Sequence, residues 1–281
     1  MRFEEITAVS CWLDFALDVG VDLDADQRSE GGRSLHPRLW KSHQRLAAIN
    51  PGCKHIVTLR RPDKVAASYY HFYESKGLTQ GLSIDEWTRK WASDEGATWS
   101  GPLWPYIIDY FERRDDPNVL IVQFEELQAD PRSQVRRIAS FIGAPCDAAL
   151  LETVLELSSS TFMARYPEKF DDHWLHEKQL SRGSFGQFPL GMAAKVSLPQ
   201  SQKLSADVLA HLQERWQTCV EPKTGASSYE ELCALLKHGL YTVDGNPKGR
   251  PGSHVIPVPV PSPKPHNVAQ GFDKGIKRVL S

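Results

Sequence analysis

Two short apolar runs, Ile56 to Leu59 and Val119 to Val122, are the clearest strand signals in the sequence. Runs of this length that are separated by helical segments are typical of buried strands in a parallel sheet, and less typical of a half-exposed antiparallel sheet. We therefore predict an α/β fold, a three-layer domain in which helices flank a central parallel sheet.

Helix-capping residues precede several of the remaining apolar segments. Ser83 and Glu86 have the spacing of a capping box, and Ser228 with Glu231 repeats that spacing. Ser205 opens a further segment with helical periodicity. The apolar residues that these three helices carry are Trp87, Trp91, Leu209, Leu212, Trp216, Leu232, Leu235 and Leu236.

A fourth helix has signals at both of its ends. Asp130 supplies an N-cap and Pro131 a first-turn proline, while Gly143 is expected to end the helix. Its apolar residues recur at helical spacing, so they are predicted to form a core-facing stripe of Val135, Ile138, Ala139 and Ile142.

Size and composition fit one large globular domain. The chain has 281 residues, of which 41% are hydrophobic and 24% charged, and its net charge is −2. This charge gives no reason to expect nucleic acid or an anionic membrane as a partner. No apolar run approaches the roughly 18 residues of a membrane span, and acidic residues interrupt the N-terminal stretch, so that stretch is a poor secretory signal. We therefore expect a cytoplasmic location.

The five cysteines are odd in number and never form a Cys-x-x-Cys pair. This pattern argues against a zinc site and against a disulfide framework, so we expect reduced thiols and no metal. A change of composition near Asn246 divides the chain into a domain over residues 1–245 and a proline-rich tail over residues 246–281. The tail is predicted to be flexible and to favour extended polyproline conformation.

The stretch from His55 to Tyr70 carries the main functional signal, because it combines a strand, a basic turn with a proline, and a helix. Arg60 lies at the carboxyl end of the strand, and Ser68 follows in the helix, an arrangement suited to clamping a phosphate. Upstream, Lys41 and His43 supply a cation and a potential general base. These residues suggest an enzyme that holds a phosphorylated nucleotide and deprotonates an acceptor.

Both segments resemble motifs of the cytosolic sulfotransferases that use PAPS (3′-phosphoadenosine 5′-phosphosulfate). The resemblance implies a P-loop NTPase-like fold for this chain. It implies that His43 is the catalytic base and that Lys41 stabilises charge near the transferring group. It also implies that Arg60 and Ser68 bind the 3′-phosphate of the nucleotide, with the eight-residue step between them matching the family spacing.

Two later segments are similar to the same family with substitutions. Ser158 stands where the family has a hydroxyl that contacts the nucleotide, although a run of serines is also typical of a loop or helix cap. Arg182 and Gly183 resemble part of the glycine-containing loop that closes on the 3′-phosphate. Phe124 replaces a tyrosine, so a hydrogen bond made there in the family would be lost.

One family motif is not found. Members begin with a strand and a loop like Tyr-Pro-Lys-Ser-Gly-Thr-Thr-Trp that holds the 5′-phosphosulfate, whereas Phe3 to Asp26 resembles the segment downstream of it. We therefore expect the first strand and the phosphate loop to be missing from this sequence. Two explanations remain open: an incomplete sequence, or a degenerate relative.

The resemblance implies transfer of a sulfuryl group from PAPS to a hydroxyl or amine of a small-molecule acceptor, with PAP as the product. The alternative is a non-catalytic relative that binds PAP or PAPS. A P-loop kinase is disfavoured, because the sequence has neither a phosphate loop with its lysine nor a clear metal-binding aspartate. The acceptor and the oligomeric state stay open at this point.

Overall fold

The computed structural model describes residues 4–21, 39–46, 52–75, 77–93, 102–183 and 203–238. The proline-rich tail, for which we predict flexibility, lies outside these residues, as does the end of the predicted domain from residue 239 to 245.

Helices of four to fourteen residues make up most of the described structure. They are α1 (Ile6–Val9), α2 (Pro62–Ser75), α3 (Ile84–Ala92), α4 (Leu103–Glu112), α5 (Phe124–Ala129), α6 (Pro131–Ile142), α7 (Ala148–Leu157), α8 (Ser160–Arg165), α9 (His173–Ser181), α10 (Ala206–Cys219), α11 (Glu221–Thr224) and α12 (Tyr229–His238), with 3₁₀ turns at Leu13–Phe15 and Pro167–Lys169.

Both predicted strands form, and they pair in parallel. Strand β1 (His55–Leu59) runs beside β2 (Val119–Gln123), with His55 opposite Val119 and Leu59 opposite Gln123. A parallel pair joined through intervening helices is the α/β arrangement that the sequence predicts, so the fold class is confirmed.

The expectation that both strands are buried holds only for β2. All five of its residues are buried, whereas burial alternates along β1, where Ile56 and Thr58 are exposed. Successive side chains of a strand point to opposite faces, so Val57 and Leu59 enter the core while Ile56 and Thr58 lie on a face that the described elements leave uncovered.

The main core lies where β1 and β2 meet α2, α3, α4, α10 and α12. Trp104 and Trp216 are almost completely buried and meet edge to face, with ring centroids 6.5 Å apart. Each indole donates a hydrogen bond of 2.8 Å to a backbone carbonyl, Trp104 to Ala92 and Trp216 to Ala226. Burial of the two large rings therefore leaves neither indole N–H unsatisfied.

Most capping predictions are confirmed. Ser83 and Glu86 form a complete capping box at the start of α3, and the side chain of Ser205 caps α10. The second box is only half as predicted: Ser228 accepts from the backbone of Glu231, but the Glu231 carboxylate binds Ser227 instead. Of the apolar residues that these helices carry, Leu209 and Leu235 are exposed.

Helix α6 begins and ends as predicted but packs differently. Asp130 caps its first turn, Pro131 follows, and Gly143 ends the helix with a left-handed φ of 76°. The predicted core stripe is wrong in degree, because its four apolar residues are only half-buried, and Gln134 is the residue of α6 that is buried. Helix α6 packs on α7 and on β2, and these contacts decide which of its faces is covered.

A second, smaller core joins the N-terminal segment to α9. It consists of Trp12, Phe15, Val19 and Leu175, with Trp174 packed against it.

All five cysteines lie in the described residues, and every one is a free thiol. Within the described part of the chain, no helix combines the length and the apolar character that crossing a bilayer requires.

Candidate functional site

The segment that carries Lys41 and His43 lies against residues 11–13. The backbone N–H of Leu13 donates to the Lys41 carbonyl at 2.7 Å, and the N–H of Lys41 donates to the Cys11 carbonyl at 3.1 Å. These two bonds form a parallel bridge between Trp12 and Lys41. The bridge fixes the backbone of the predicted catalytic pair to the small core.

A single carboxylate, that of Asp14, holds the predicted pair from the other side. It accepts hydrogen bonds from the Ser42 hydroxyl at 3.4 Å, from the His43 backbone N–H at 3.1 Å and from the Gln44 side-chain amide at 3.0 Å. The Asp14 side chain is only 2% exposed, so these bonds replace the water that the charge has lost.

Sequence reasoning did not assign Asp14 to the site. Taken alone, the acidic residues of this stretch argue only against a secretory signal. The available hint was an aspartate within an apolar segment, directly before the buried Phe15. A charge in such a position needs polar partners, but the sequence could not say that they are 28 to 30 residues away.

His43 is placed so that its imidazole is neutral at pH 7. Its ring centroid lies 4.9 Å from that of Trp12, and its Nδ1 is 3.9 Å from the Asp14 carboxylate. Burial, reinforced by the nearby positive charge of Lys41, lowers the pKa of His43 to about 4, and Asp14 opposes that shift. A neutral imidazole can accept a proton, which is the state that a general base needs.

The ammonium of Lys41 lies 3.6 Å from the centroid of the Trp12 ring, a cation–π contact. Although the residue keeps access to solvent, the packing around its ammonium end lowers the pKa of Lys41. Asp172, Asp14 and Glu5 act in the opposite direction and favour the charged form. The structure thus brings the predicted cation and the predicted base together against one indole ring.

Arg60 lies at the carboxyl end of β1, as predicted, and its guanidinium is 4.4 Å from the centroid of the Phe124 ring. The strand register explains the contact, because Leu59 lies opposite Gln123 and each is followed by one of the two stacked residues. Phe124, which stands where the family has a tyrosine, therefore stacks on Arg60, the residue predicted to bind the phosphate.

Ser68 and Ser158 lie in helical surroundings. Ser68 is an exposed residue in the second turn of α2. Ser158 is exposed at the end of α7, and its hydroxyl donates to the Val154 carbonyl at 2.7 Å. The neighbouring Ser159 caps α8 by accepting from the backbone of Phe162. To donate to a nucleotide, Ser158 would first have to release its bond to α7.

Arg182 and Gly183 lie at the end of α9. Gly183 has a φ of 68°, the left-handed conformation that commonly follows a helix end. The guanidinium of Arg182 packs against Gly20, where a Cβ would clash with Nη1. A side chain at position 20 would therefore displace Arg182. The rest of the predicted closing loop, from residue 184 onward, lies outside the described residues.

The predicted site residues therefore fall into separate groups. Lys41 and His43 lie against Trp12 of the small core, which also includes Leu175 of α9, and Arg182 directly follows that helix. Arg60 lies on the main sheet instead. Within the described ranges, no hydrogen bond or ion pair joins Arg60 to Ser68, Ser158 or Arg182.

Comparison with known proteins identifies the family. A profile of the sulfotransferase domain matches residues 6–217. The chain is 30% identical to mouse sulfotransferase 4A1 over 126 residues, which are 43% of this chain and 44% of that protein. It is 30% identical to cytosolic sulfotransferase 5 of Arabidopsis thaliana over 121 residues, which are 40% of this chain and 37% of that protein. The alignments thus span less than half the length of these relatives.

Among solved structures, the chain is similar to retinol dehydratase crystallised with androsterone and the inactive cofactor PAP. The TM-score is 0.52 at 15% identity, over 66% of this chain and 53% of that one, which is a likeness of fold. The profile match covers well over half of the present sequence, including both predicted catalytic residues and the Arg60 turn. The chain belongs to the sulfotransferase domain family.

Proposed function

We propose that this chain acts in a PAPS-dependent sulfotransferase, which moves a sulfuryl group to a hydroxyl or amine of a small-molecule acceptor. The observation that carries the proposal is the arrangement around Asp14, where a neutral imidazole and an ammonium lie against the Trp12 ring. A base and a cation in fixed relation are the groups that this transfer requires from the protein.

In the proposed reaction, PAPS supplies an activated sulfuryl group. His43 takes the proton of the acceptor hydroxyl or amine while the new bond to sulfur forms and the bond from sulfur to the nucleotide phosphate breaks. Lys41 lies beside His43, where its positive charge would stabilise the negative charge that develops on the leaving phosphate. No metal is required for this chemistry.

Arg60 is proposed to hold the 3′-phosphate. Its guanidinium stacks on Phe124 and, within the described residues, forms no ion pair with a carboxylate. The neighbouring Arg61 differs, because it is paired with Asp63 and Glu230. Arg60 is therefore the arginine of this turn whose charge stays available for an anion. We propose Ser68, Ser158, Arg182 and Gly183 as further nucleotide contacts.

A non-catalytic relative that binds PAP or PAPS is the second candidate. The observation in its favour is the lowered pKa of His43, about 4, because an imidazole of that pKa is a weaker base than an ordinary histidine. Under this alternative the Arg60 turn would still bind the nucleotide, and Lys41 and His43 would have no role in turnover.

Titration calorimetry with PAP and with 5′-AMP, which lacks the 3′-phosphate, tests the binding part. We expect PAP to bind more tightly than 5′-AMP, because only PAP offers the group that Arg60 would hold. Incubation with sulfur-labelled PAPS and a panel of phenols and arylamines then tests turnover. Binding with transfer supports the sulfotransferase, binding without transfer supports the second candidate, and absence of PAP binding contradicts both.

A further inference from the structure

The turn that carries Arg60 is braced by residues outside the part of the chain that the family profile matches. The inference drawn from this brace rests on the proposed role of Arg60 in nucleotide binding. Helix α12 begins at Tyr229, beyond the matched residues 6–217, and packs beside the carboxyl ends of both strands. Its contacts reach the turn at Arg61, directly through Glu230 and indirectly through Glu125.

The first step of the brace joins the two strand ends. Arg60 and Arg61 follow β1 as Phe124 and Glu125 follow β2, and the parallel register puts the two pairs side by side. Phe124 stacks on the guanidinium of Arg60. Glu125 accepts a hydrogen bond of 3.1 Å from the backbone N–H of Arg61. Consecutive residues of α5 thus hold consecutive residues of the turn.

The second step joins that turn to α12. The Tyr229 hydroxyl donates to the other oxygen of the Glu125 carboxylate at 2.8 Å. The Tyr229 ring is buried in the main core and meets Trp216 edge to face. Burial and the adjacent carboxylate raise the pKa of Tyr229, so the phenol remains a donor at neutral pH. Glu125 is therefore fixed at both oxygens, by the turn and by the core.

Arg61 differs from Arg60 because its guanidinium is paired with carboxylates. Glu230 approaches Arg61 Nη1 to 3.4 Å, and Asp63 accepts from Arg61 Nε at 3.1 Å. Because these two carboxylates already neutralise the Arg61 guanidinium, we do not expect Arg61 to bind the 3′-phosphate. Two further bonds secure α12, from the Gln123 amide to the Cys233 carbonyl at 3.1 Å and from Lys237 to Glu126 at 2.8 Å.

We infer that Tyr229 and Glu125 are positioning residues for Arg60, and that α12 is thereby a working part of the nucleotide site. Neither residue touches the nucleotide in this scheme. Glu125 fixes the backbone at residue 61 and Tyr229 fixes Glu125, while Phe124, the residue before Glu125, stacks on the Arg60 guanidinium. Holding the Arg60 side chain in its binding conformation raises the affinity for PAP, because less conformational entropy is lost on binding.

The test is a double-mutant cycle read by PAP affinity. Tyr229→Phe is expected to weaken PAP binding roughly three- to tenfold, the contribution of one ordinary hydrogen bond, and to leave 5′-AMP binding nearly unchanged. In the Arg60→Ala background, Tyr229→Phe should have no further effect on PAP affinity, because the group that it positions is absent. Glu125→Gln, which keeps the size of the side chain, is expected to give the same pattern.

Tyr70→Phe is the matched control, since it removes another buried tyrosine hydroxyl that bonds to a glutamate, Glu74, and to the Leu82 carbonyl. Its urea midpoint corrects for a general loss of stability, and PAP affinity should not change. If Tyr229→Phe fails to fold, Glu125→Gln carries the test alone.

The outcomes separate this inference from the proposed function. If Arg60→Ala weakens PAP binding but neither Tyr229→Phe nor Glu125→Gln does, the inference is overturned and the proposed function stands. The inference is also overturned if PAP and 5′-AMP affinities fall in equal proportion, because the effect is then general. If Arg60→Ala leaves PAP affinity unchanged, or if the parent protein does not bind PAP, both are overturned.

Discussion

The two halves of the candidate site are built in different ways. Arg60 follows a strand of the main core and is stacked on a residue that follows the neighbouring strand. Lys41 and His43 lie in an irregular segment beside a small core, and much of their placement depends on the carboxylate of Asp14. A side chain at the end of a strand is held by a rigid sheet, whereas the proposed catalytic pair relies on a few polar bonds.

Substitutions in the two halves of the site should therefore differ in their effects on PAP affinity and on turnover. Several contacts hold the turn that carries Arg60, so a single change around Arg60 should reduce the affinity for PAP by a modest factor. The proposed catalytic pair is held by fewer contacts, so changes there should have large effects on turnover or stability and small effects on nucleotide binding.

The largest effect is expected for His43→Ala, assayed with labelled PAPS and any acceptor that the parent protein sulfonates. Loss of a general base should reduce kcat on the order of a hundredfold or more, while the Kd for PAP stays within about twofold of the parent. His71→Ala is the control, because it removes a histidine of α2 that pairs with Glu74. Parental turnover in the His43 variant would exclude this residue as the base.

The next effect is a pH dependence of stability. The pKa of His43 is about 4 in the folded protein, below the value of about 6.5 expected when unfolded. As pH falls below about 6.5, the unfolded chain takes up the proton first, so stability decreases down to about pH 4. The decrease from this residue is at most about 3 kcal/mol.

Urea unfolding of the parent and of His43→Asn, at pH 7 and at pH 4.5, measures this contribution. Subtraction cancels the other titrating groups, and the variant should lose less stability on acidification than the parent. Equal losses in both proteins would show that His43 is not held neutral by its surroundings.

An intermediate effect is expected for Arg60→Ala. Removal of a charge-assisted bond to phosphate should weaken PAP binding about ten- to a hundredfold, corresponding to about 1.5–3 kcal/mol, and should scarcely change 5′-AMP binding. Arg61→Ala is a closely matched control, since it removes the adjacent guanidinium that pairs with Asp63 and Glu230. Equal effects of the two variants would contradict the distinction that we draw between them.

A smaller effect is expected for Asp14→Asn. The amide keeps one acceptor oxygen but loses the charge, so the free energy of unfolding should fall by about 1–2 kcal/mol. Because the amide also offers donors where Ser42, His43 and Gln44 donate, kcat should fall by more than PAP affinity does. Asp109→Asn, which weakens an ion pair with the exposed Arg45, is the control. If kcat in Asp14→Asn matches the control, Asp14 does not position the base.

Location in the cytoplasm, the small-molecule acceptor, the flexible tail and the missing phosphate loop stay predictions. Mass measurement of the protein purified from its natural source, with sequencing of its N-terminal peptides, would test the last of these directly.

The sequence alone determined the features that depend on neighbouring residues. The capping box of Ser83 and Glu86, the start of α6 at Pro131 and its end at Gly143 were predicted correctly, because caps act over one turn of helix. The two strands and their parallel pairing followed from short apolar runs separated by helices. The family motif also located the Arg60 turn correctly, at the carboxyl end of β1.

Only the tertiary structure decided the features that join distant parts of the chain. Asp14 supports His43 from 29 residues away, and Tyr229 reaches Glu125 across 104 residues. The burial of Gln134 in place of the predicted apolar stripe, and the open face of β1, likewise depend on which elements pack against each surface. Local sequence patterns encode helix ends and the alternation of side chains along a strand. The partner of a buried charge depends on which distant segments the tertiary fold brings together, and no short stretch of sequence specifies that.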